Sequence, residues 1–316
     1  MSRLDPQLSV YFGEANRTLP ALPPNASATT RRIQAWALSA LDRIPIPPSV
    51  TIHDIELTLP TGHARARFFD GHDGRDEPIP TIIYFHGGGW VIGDVETYTV
   101  SCAQLAREAN ALVVSIDYPL APEHSWQTIT QRCYEAAVAV VYDCKQTMRG
   151  APIALAGDSA GGHLATITAL RVLENSTFRV ALQALIYPCI EPNYDTESFE
   201  KFGAEYGPSV ADMAWHWAQY ANADLFAMDY RIAPSRAASH RGLPLSYIAT
   251  AGCDSLRDDG RAYVNTLREN DVEVIHDEFS SMPHGFLRMA KHSISAAAAI
   301  TQMYKRIGEL LRRPQT

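Results

Sequence analysis

Ile153-Ala154-Leu155-Ala156-Gly157-Asp158-Ser159-Ala160-Gly161-Gly162 is a short apolar run that breaks at a glycine-flanked serine and continues as a helical pattern to about Glu174. A short unbroken apolar run is the mark of a strand buried on both faces. The pentapeptide Gly157 to Gly161 therefore has the form G-x-S-x-G at a strand-to-helix turn, the setting in which that pattern carries chemistry. Strand and helix close on each other there only if the flanking positions lack bulk, which Gly157, Gly161 and Gly162 satisfy. The turn lifts the Ser159 hydroxyl clear of the sheet, at the positive end of a helix, where developing negative charge is favoured. A passive serine in a glycine-rich turn is the competing reading.

On either side the same alternation continues. Strands are predicted at 81–85, 112–116, 182–187, 245–250 and 272–279, with helices near 98–110, 128–148, 160–174, 258–270 and 293–311. The order implies an α/β fold with a mostly parallel central sheet covered by helices on both faces. Two segments depart from it. Residues 1 to about 50 are rich in Pro and Ala with one helix at 30–41, and residues 190 to about 240 insert aromatic helical sequence. Both are expected to form a cap over the carboxyl ends of the strands, on a catalytic domain spanning 51–316.

His86-Gly87-Gly88-Gly89-Trp90 directly follows the strand ending at Phe85. Three consecutive glycines let bare backbone N–H groups face a ligand, as an oxyanion hole requires. Gly88 and Gly89, with Ala160 after the serine, are the expected donors. A phosphate loop is excluded because no Lys-Ser/Thr pair follows the glycines, and the GxGxxG spacing is absent. His86 is read as ordering its own loop.

Where a serine sits on such a turn, the chain order is Ser, acid, His, with both partners on loops after later strands. His216, His240, His276, His284 and His292 compete for the base. His284, in the Pro/Gly-flanked Met282-Pro283-His284-Gly285-Phe286, lies on a loop just past a strand and is the choice. The others read as packing or solvated surface. Asp254 follows the strand ending near Thr250 and is the expected acid, with Asp258 as its main rival. Asp258 and Asp259 open the next helix, where acids complement the dipole.

With 46% apolar and 20% charged residues, a chain of 316 residues has ample material for a packed interior, which excludes disorder and fibres. Lys and Arg total 27 against 35 Asp and Glu, and the net charge of -8 with no basic stripe excludes nucleic acid as a partner. No apolar stretch reaches the length of a signal core or a membrane span, so a cytoplasmic protein without a stable membrane anchor is expected. Cys102, Cys133, Cys144, Cys189 and Cys253 are odd in number and lack CxxC pairing, and read as reduced packing residues. Asn25-Ala26-Ser27 fits a glycosylation acceptor but has no secretory context.

Together His86 to Trp90, Gly157 to Gly162, Asp254 with Leu256-Arg257-Asp258, and His284-Gly285-Phe286 resemble the hormone-sensitive-lipase-like esterases, in particular the bacterial acetyl esterases, over residues 81 to 290. The resemblance implies the α/β-hydrolase fold, a cap, and two-step acyl transfer through an acyl-enzyme, needing no cofactor and no metal. Two departures, Pro119 where the family usually has Arg and Trp126-Gln127 in place of Phe-Pro, bear on loop shape and substrate selection. The implied partner is a small-molecule ester, and a homo-oligomer is left open. Aromatic residues expected near the serine, Trp90, Phe199 and Trp215, with Phe202, Tyr206 and Trp217 also in the insertion, suggest a compact pocket and acyl chains of about two to six carbons. An amidase, a lactonase or a longer-chain lipase would use the same machinery. A binding-only homologue, like the plant gibberellin receptors that lack the catalytic histidine, is disfavoured by His284.

Overall fold

The apolar runs Thr81–Phe85, Leu112–Ile116, Ile153–Asp158 and Leu182–Ile186 are buried along their whole length, as strands covered on both faces must be. A computed structural model describes residues 4–18, 22–23, 25–72, 78–143 and 150–314. In it these runs are β3, β4, β5 and β6 of one sheet that also holds β1 (Thr51–Leu59), β2 (Gly62–Asp70), β7 (Leu245–Cys253) and β8 (Val274–Pro283), in the order β1-β2-β4-β3-β5-β6-β7-β8. From β4 across to β8 every pairing is parallel. The expected end of the helix at 128–148, residues 144–148, and Cys144 lie outside the described residues.

β1 (Thr51–Leu59) and β2 (Gly62–Asp70) form an antiparallel hairpin that the periodicity did not predict. β2 does alternate: Ala64, Ala66 and Phe68 are buried, while Arg65 and Arg67 turn to the other face and pair with Asp54 and Glu96. Small alanines opposite arginines make a weak hydrophobic signal. A second difference is at the N-terminus, where α1 (Pro6–Thr18) precedes α2 (Ala28–Asp42) in a segment read as holding one helix.

Two helical layers cover the sheet. On one face α4 (Trp126–Asp143), α5 (Ala160–Asn175) and α8 (Arg257–Glu269) bury Cys133, Leu164 and Leu267 against Ile83, Val114 and Leu155. On the other, α3 (Thr99–Ala109) and α9 (Ile294–Leu311) bury Leu105, Met303 and Ile307 against Ile82, Val113 and Ala184. The chain leaves β3 to one side for β4 and returns across it to β5, so the loops after β3 and β5 diverge. Such a reversal opens a crevice at the carboxyl ends of the strands. Between β6 and β7 (Leu245–Cys253) lie α6 (Glu197–Phe202) and α7 (Val210–Tyr220). β8 runs Val274–Pro283, beyond its expected end, and delivers the chain directly to His284. Cys102, Cys133, Cys189 and Cys253 are buried free thiols.

Candidate active site

Ser159 turns the chain from β5 into α5 with φ 53° and ψ −121°, a conformation that costs an L residue roughly 1–3 kcal/mol and persists only when its surroundings fix it. Three backbone bonds do so: its N–H donates to the Ile186 carbonyl at 2.9 Å, and its carbonyl accepts from His163 at 3.1 Å and Cys189 at 3.2 Å. A Cβ on Gly161 would fall onto the Phe85 carbonyl oxygen, so helix and strand approach at that glycine as closely as backbone permits.

The Ser159 Oγ lies 3.0 Å from His284 Nε2, and His284 Nδ1 lies 2.8 Å from Asp254 Oδ2. A carboxylate can only accept, so Nδ1 carries the proton and Nε2 faces the hydroxyl as an acceptor. Asp254 stands one residue past β7, its side chain fully buried, and its other oxygen accepts the Leu256 N–H at 2.8 Å. Asp258 is elsewhere: it accepts from the Ser198 N–H at 2.9 Å and from Arg257 at 2.8 Å. Of the other histidines, His276 meets Thr250, His292 meets Asp42 and His240 meets the Pro234 carbonyl.

His216 corrects the sequence reading, because it lines the cavity above Ser159 with Nδ1 3.2 Å from the Gly89 carbonyl. Burial, with the Arg31 charge nearby, lowers its pKa to about 4. His163, which the sequence did not single out, accepts from Trp90 Nε1 at 3.2 Å and meets the Ile232 carbonyl at 2.8 Å, tying α5 to the insertion.

After β3, Gly88 adopts φ +120° and its carbonyl accepts from Val91 and Ile92, forming a tight turn in which a Cβ would collide with the Ile92 carbonyl. Among the hydrogen bonds of the described residues none uses the N–H of Gly88, Gly89 or Ala160, and all three residues line the same cavity as Ser159 and His284. His86 is fully buried with Nδ1 2.8 Å from the Gly87 carbonyl, and stacks on Tyr118 at 4.2 Å.

One element of this site was not foreseen. Asp158, next to the serine, is buried and accepts from Tyr84 at 2.8 Å, Tyr98 at 3.0 Å, Tyr187 at 3.3 Å and the Gly87 N–H at 2.9 Å. Burial pushes all three phenols well above their ordinary range, so they stay protonated and donate. The carboxylate thus joins the glycine loop to the serine turn. Only the spatial convergence of four separate segments reveals it.

The cavity measures about 730 Å³, within the range for small-molecule sites. Trp90 lines it, but Phe199 and Trp215 do not. Phe199 packs on Tyr194 at 5.6 Å, and Trp215 lies under the Arg31 guanidinium at 4.2 Å, because α7 turns Met213 and His216 toward the serine instead. Phe202, Tyr206 and Trp217 are likewise absent from the cavity wall. From α2 come Arg32, Ile33, Ala35 and Trp36. Among the described residues no group of His, Cys, Asp or Glu side chains is placed to hold a metal ion, and no helix is long and apolar enough to cross a membrane.

A family model described as the alpha/beta hydrolase fold matches residues 82–288. The chain belongs to the α/β-hydrolase fold family. Within it, this hydrolase is a member of the hormone-sensitive-lipase-like esterases, as the sequence resemblance implied. It is 31% identical to the carboxylic ester hydrolase LipN of Mycobacterium tuberculosis, over 84% of this chain and 72% of the relative. It is 29% identical to the ethyl acetate hydrolase of Pseudomonas putida, over 90% and 92% respectively. Among solved structures, the Pyrobaculum calidifontis esterase superposes with a TM-score of 0.85 at 31% identity, covering 97% of the hydrolase and 99% of that chain. The hydrolase is accordingly an esterase.

Proposed function

We propose that the protein hydrolyses short-chain carboxylic esters by acyl transfer through Ser159. The observation carrying this reading is the continuous chain from Ser159 Oγ to His284 to Asp254, with links of 3.0 and 2.8 Å, at a strained strand-to-helix turn. His284 takes the hydroxyl proton as Oγ attacks the ester carbonyl, and the oxyanion is held by the N–H groups of Gly88, Gly89 and Ala160. The proton passes from His284 to the departing alcohol. Water, deprotonated by the same nitrogen, then releases the acid. Asp254 fixes the tautomer and stabilises the imidazolium in both halves. The N-terminal helices and the 190–240 insertion serve as a cap, since α2 and α7 both contribute walls to the cavity.

Short acyl chains are favoured by likeness to a relative named for ethyl acetate, not by the aromatic rings, most of which pack away from the cavity. On 4-nitrophenyl esters of increasing length, kcat/KM should rise by up to about 0.8 kcal/mol per methylene and peak at about two to six carbons. A maximum near ten carbons or more, or a jump when substrate forms an interface, favours a lipase instead. Ser159→Ala should lower kcat at least about a thousandfold while the protein stays folded, and substantial residual turnover would remove the nucleophile assignment.

A further inference from the structure

Arg288 is the last residue of the single turn Phe286–Arg288 that follows His284-Gly285. Phe286 and Leu287 are buried and anchor that turn, but the Arg288 side chain is exposed and lines the cavity that holds Ser159, Gly88 and His284. It also lines two adjoining cavities, one under α1 and α2 and one beside α3. Among the described residues its guanidinium makes no hydrogen bond and no ion pair.

Of the cavity's other charges, Asp117 likewise makes no side-chain hydrogen bond or ion pair among the described residues, and the rest are engaged. Arg32 is held by Glu123 and the carbonyls of Val91 and Ala121. Asp94 accepts from the Thr97 N–H at 2.7 Å. The two carboxylates that reach Arg288 electrostatically are Asp42 and Asp158. Asp42 is taken by Tyr11 and His292, and Asp158 by its three tyrosines and Gly87. A guanidinium kept in a cleft without a protein partner leaves a fork of donors whose geometry matches a carboxylate.

Resting on the esterase reading above, we infer that Arg288 selects esters that carry a free carboxylate, on the acyl or the alcohol portion, by binding that carboxylate while Ser159 attacks the ester carbonyl. The carboxylate takes no part in bond making. It pairs with Arg288 through N–H donors, displaces water from both groups, and leaves the acyl transfer unchanged in atoms and charge.

Two matched pairs of substrates test this. One is the 4-nitrophenyl ester of hydrogen adipate against that of methyl adipate, which places the charge on the acyl part. The other is 4-acetoxybenzoate against methyl 4-acetoxybenzoate, which places it on the alcohol part. The wild-type enzyme should favour the anionic member of at least one pair by about tenfold or more in kcat/KM, mostly through KM, and added salt should shrink the preference. In Arg288→Gln that ratio should fall toward one, and Arg288→Lys should restore part of it. A neutral member hydrolysed as well as its anion in both pairs overturns the proposal without any variant. So does a ratio that survives Arg288→Gln. If the wild type hydrolyses none of the four esters, the Ser159 reading fails first and the proposal falls with it.

Discussion

At Asp254 and Asp258, four residues apart, the same side chain does different work because of what surrounds it. Asp254 has one oxygen on His284 and one on the Leu256 N–H, so its orientation is fixed toward that imidazole. Asp258 is spent on Ser198, Arg257 and Arg261 at the junction of α8 with the insertion. Asp254→Asn keeps the shape but favours the wrong imidazole tautomer, and kcat should fall by about three to four orders of magnitude. Asp258→Asn should leave kcat within a few-fold and lower thermal stability instead. Steady-state kinetics with a melting curve on both variants separates the roles, and the reverse pattern would move the acid to Asp258. The meeting of Ser159, His284 and Asp254 was legible in the sequence because chain order and loop position constrain it. Arg288, His216 and the three tyrosines on Asp158 were not, since each acquires meaning only from segments far away in the chain.

The joint between α8 and the start of the insertion shows how an element is held by a group that does no chemistry. Asp259, in the first turn of α8, is buried and accepts the N–H groups of Ile190 at 2.6 Å and Glu191 at 3.2 Å. Those bonds favour the carboxylate, but burial outweighs them and raises its pKa from 3.8 to about 7. Between those two values the folded chain holds a proton that the unfolded chain has released. Stability from this group is therefore complete below about pH 4 and is lost as pH rises toward about 7, with a slope of at most about 1.4 kcal/mol per unit. Denaturant titrations across that window should give a flatter profile for Asp259→Asn, whose amide oxygen still accepts both N–H groups. An equally steep profile would assign the slope to other groups. Among the elements, the parallel strands were readable because continuous burial writes continuous apolar runs. Strand β2 was hidden because Arg65 and Arg67 face outward and two of the three residues alternating with them, Ala64 and Ala66, are alanines. The aromatic count of the insertion also misled: Phe199 and Trp215 bury their rings within it or beneath Arg31, and ring content does not tell which way a helix faces.

Across the whole molecule, the N-terminal helices are fastened to the rim of the site by Arg32. Its guanidinium bonds the Val91 carbonyl at 2.7 Å, the Ala121 carbonyl at 2.9 Å and the carboxylate of Glu123, and holds Glu123 down to a pKa of about 2. Arg32→Ala should raise KM for a short 4-nitrophenyl ester several-fold with a smaller change in kcat, because α2 lines the cavity but does not touch the reacting atoms. An unchanged KM would mean that α2 keeps its place without this clamp. Nearer the centre, the carboxylate of Asp158 receives phenols from β3, from the start of α3 and from the end of β6, and an amide from the glycine loop. Breaking any spoke of such a hub leaves a buried charge short of donors, so the segments it joins open together or not at all. In heavy water, the amides of Gly87 and Ser159 should therefore trade hydrogen for deuterium with one shared opening free energy. Tyr84→Phe should speed both by the same factor, a result that would make the glycine loop and the serine turn a single cooperative unit of the native ensemble.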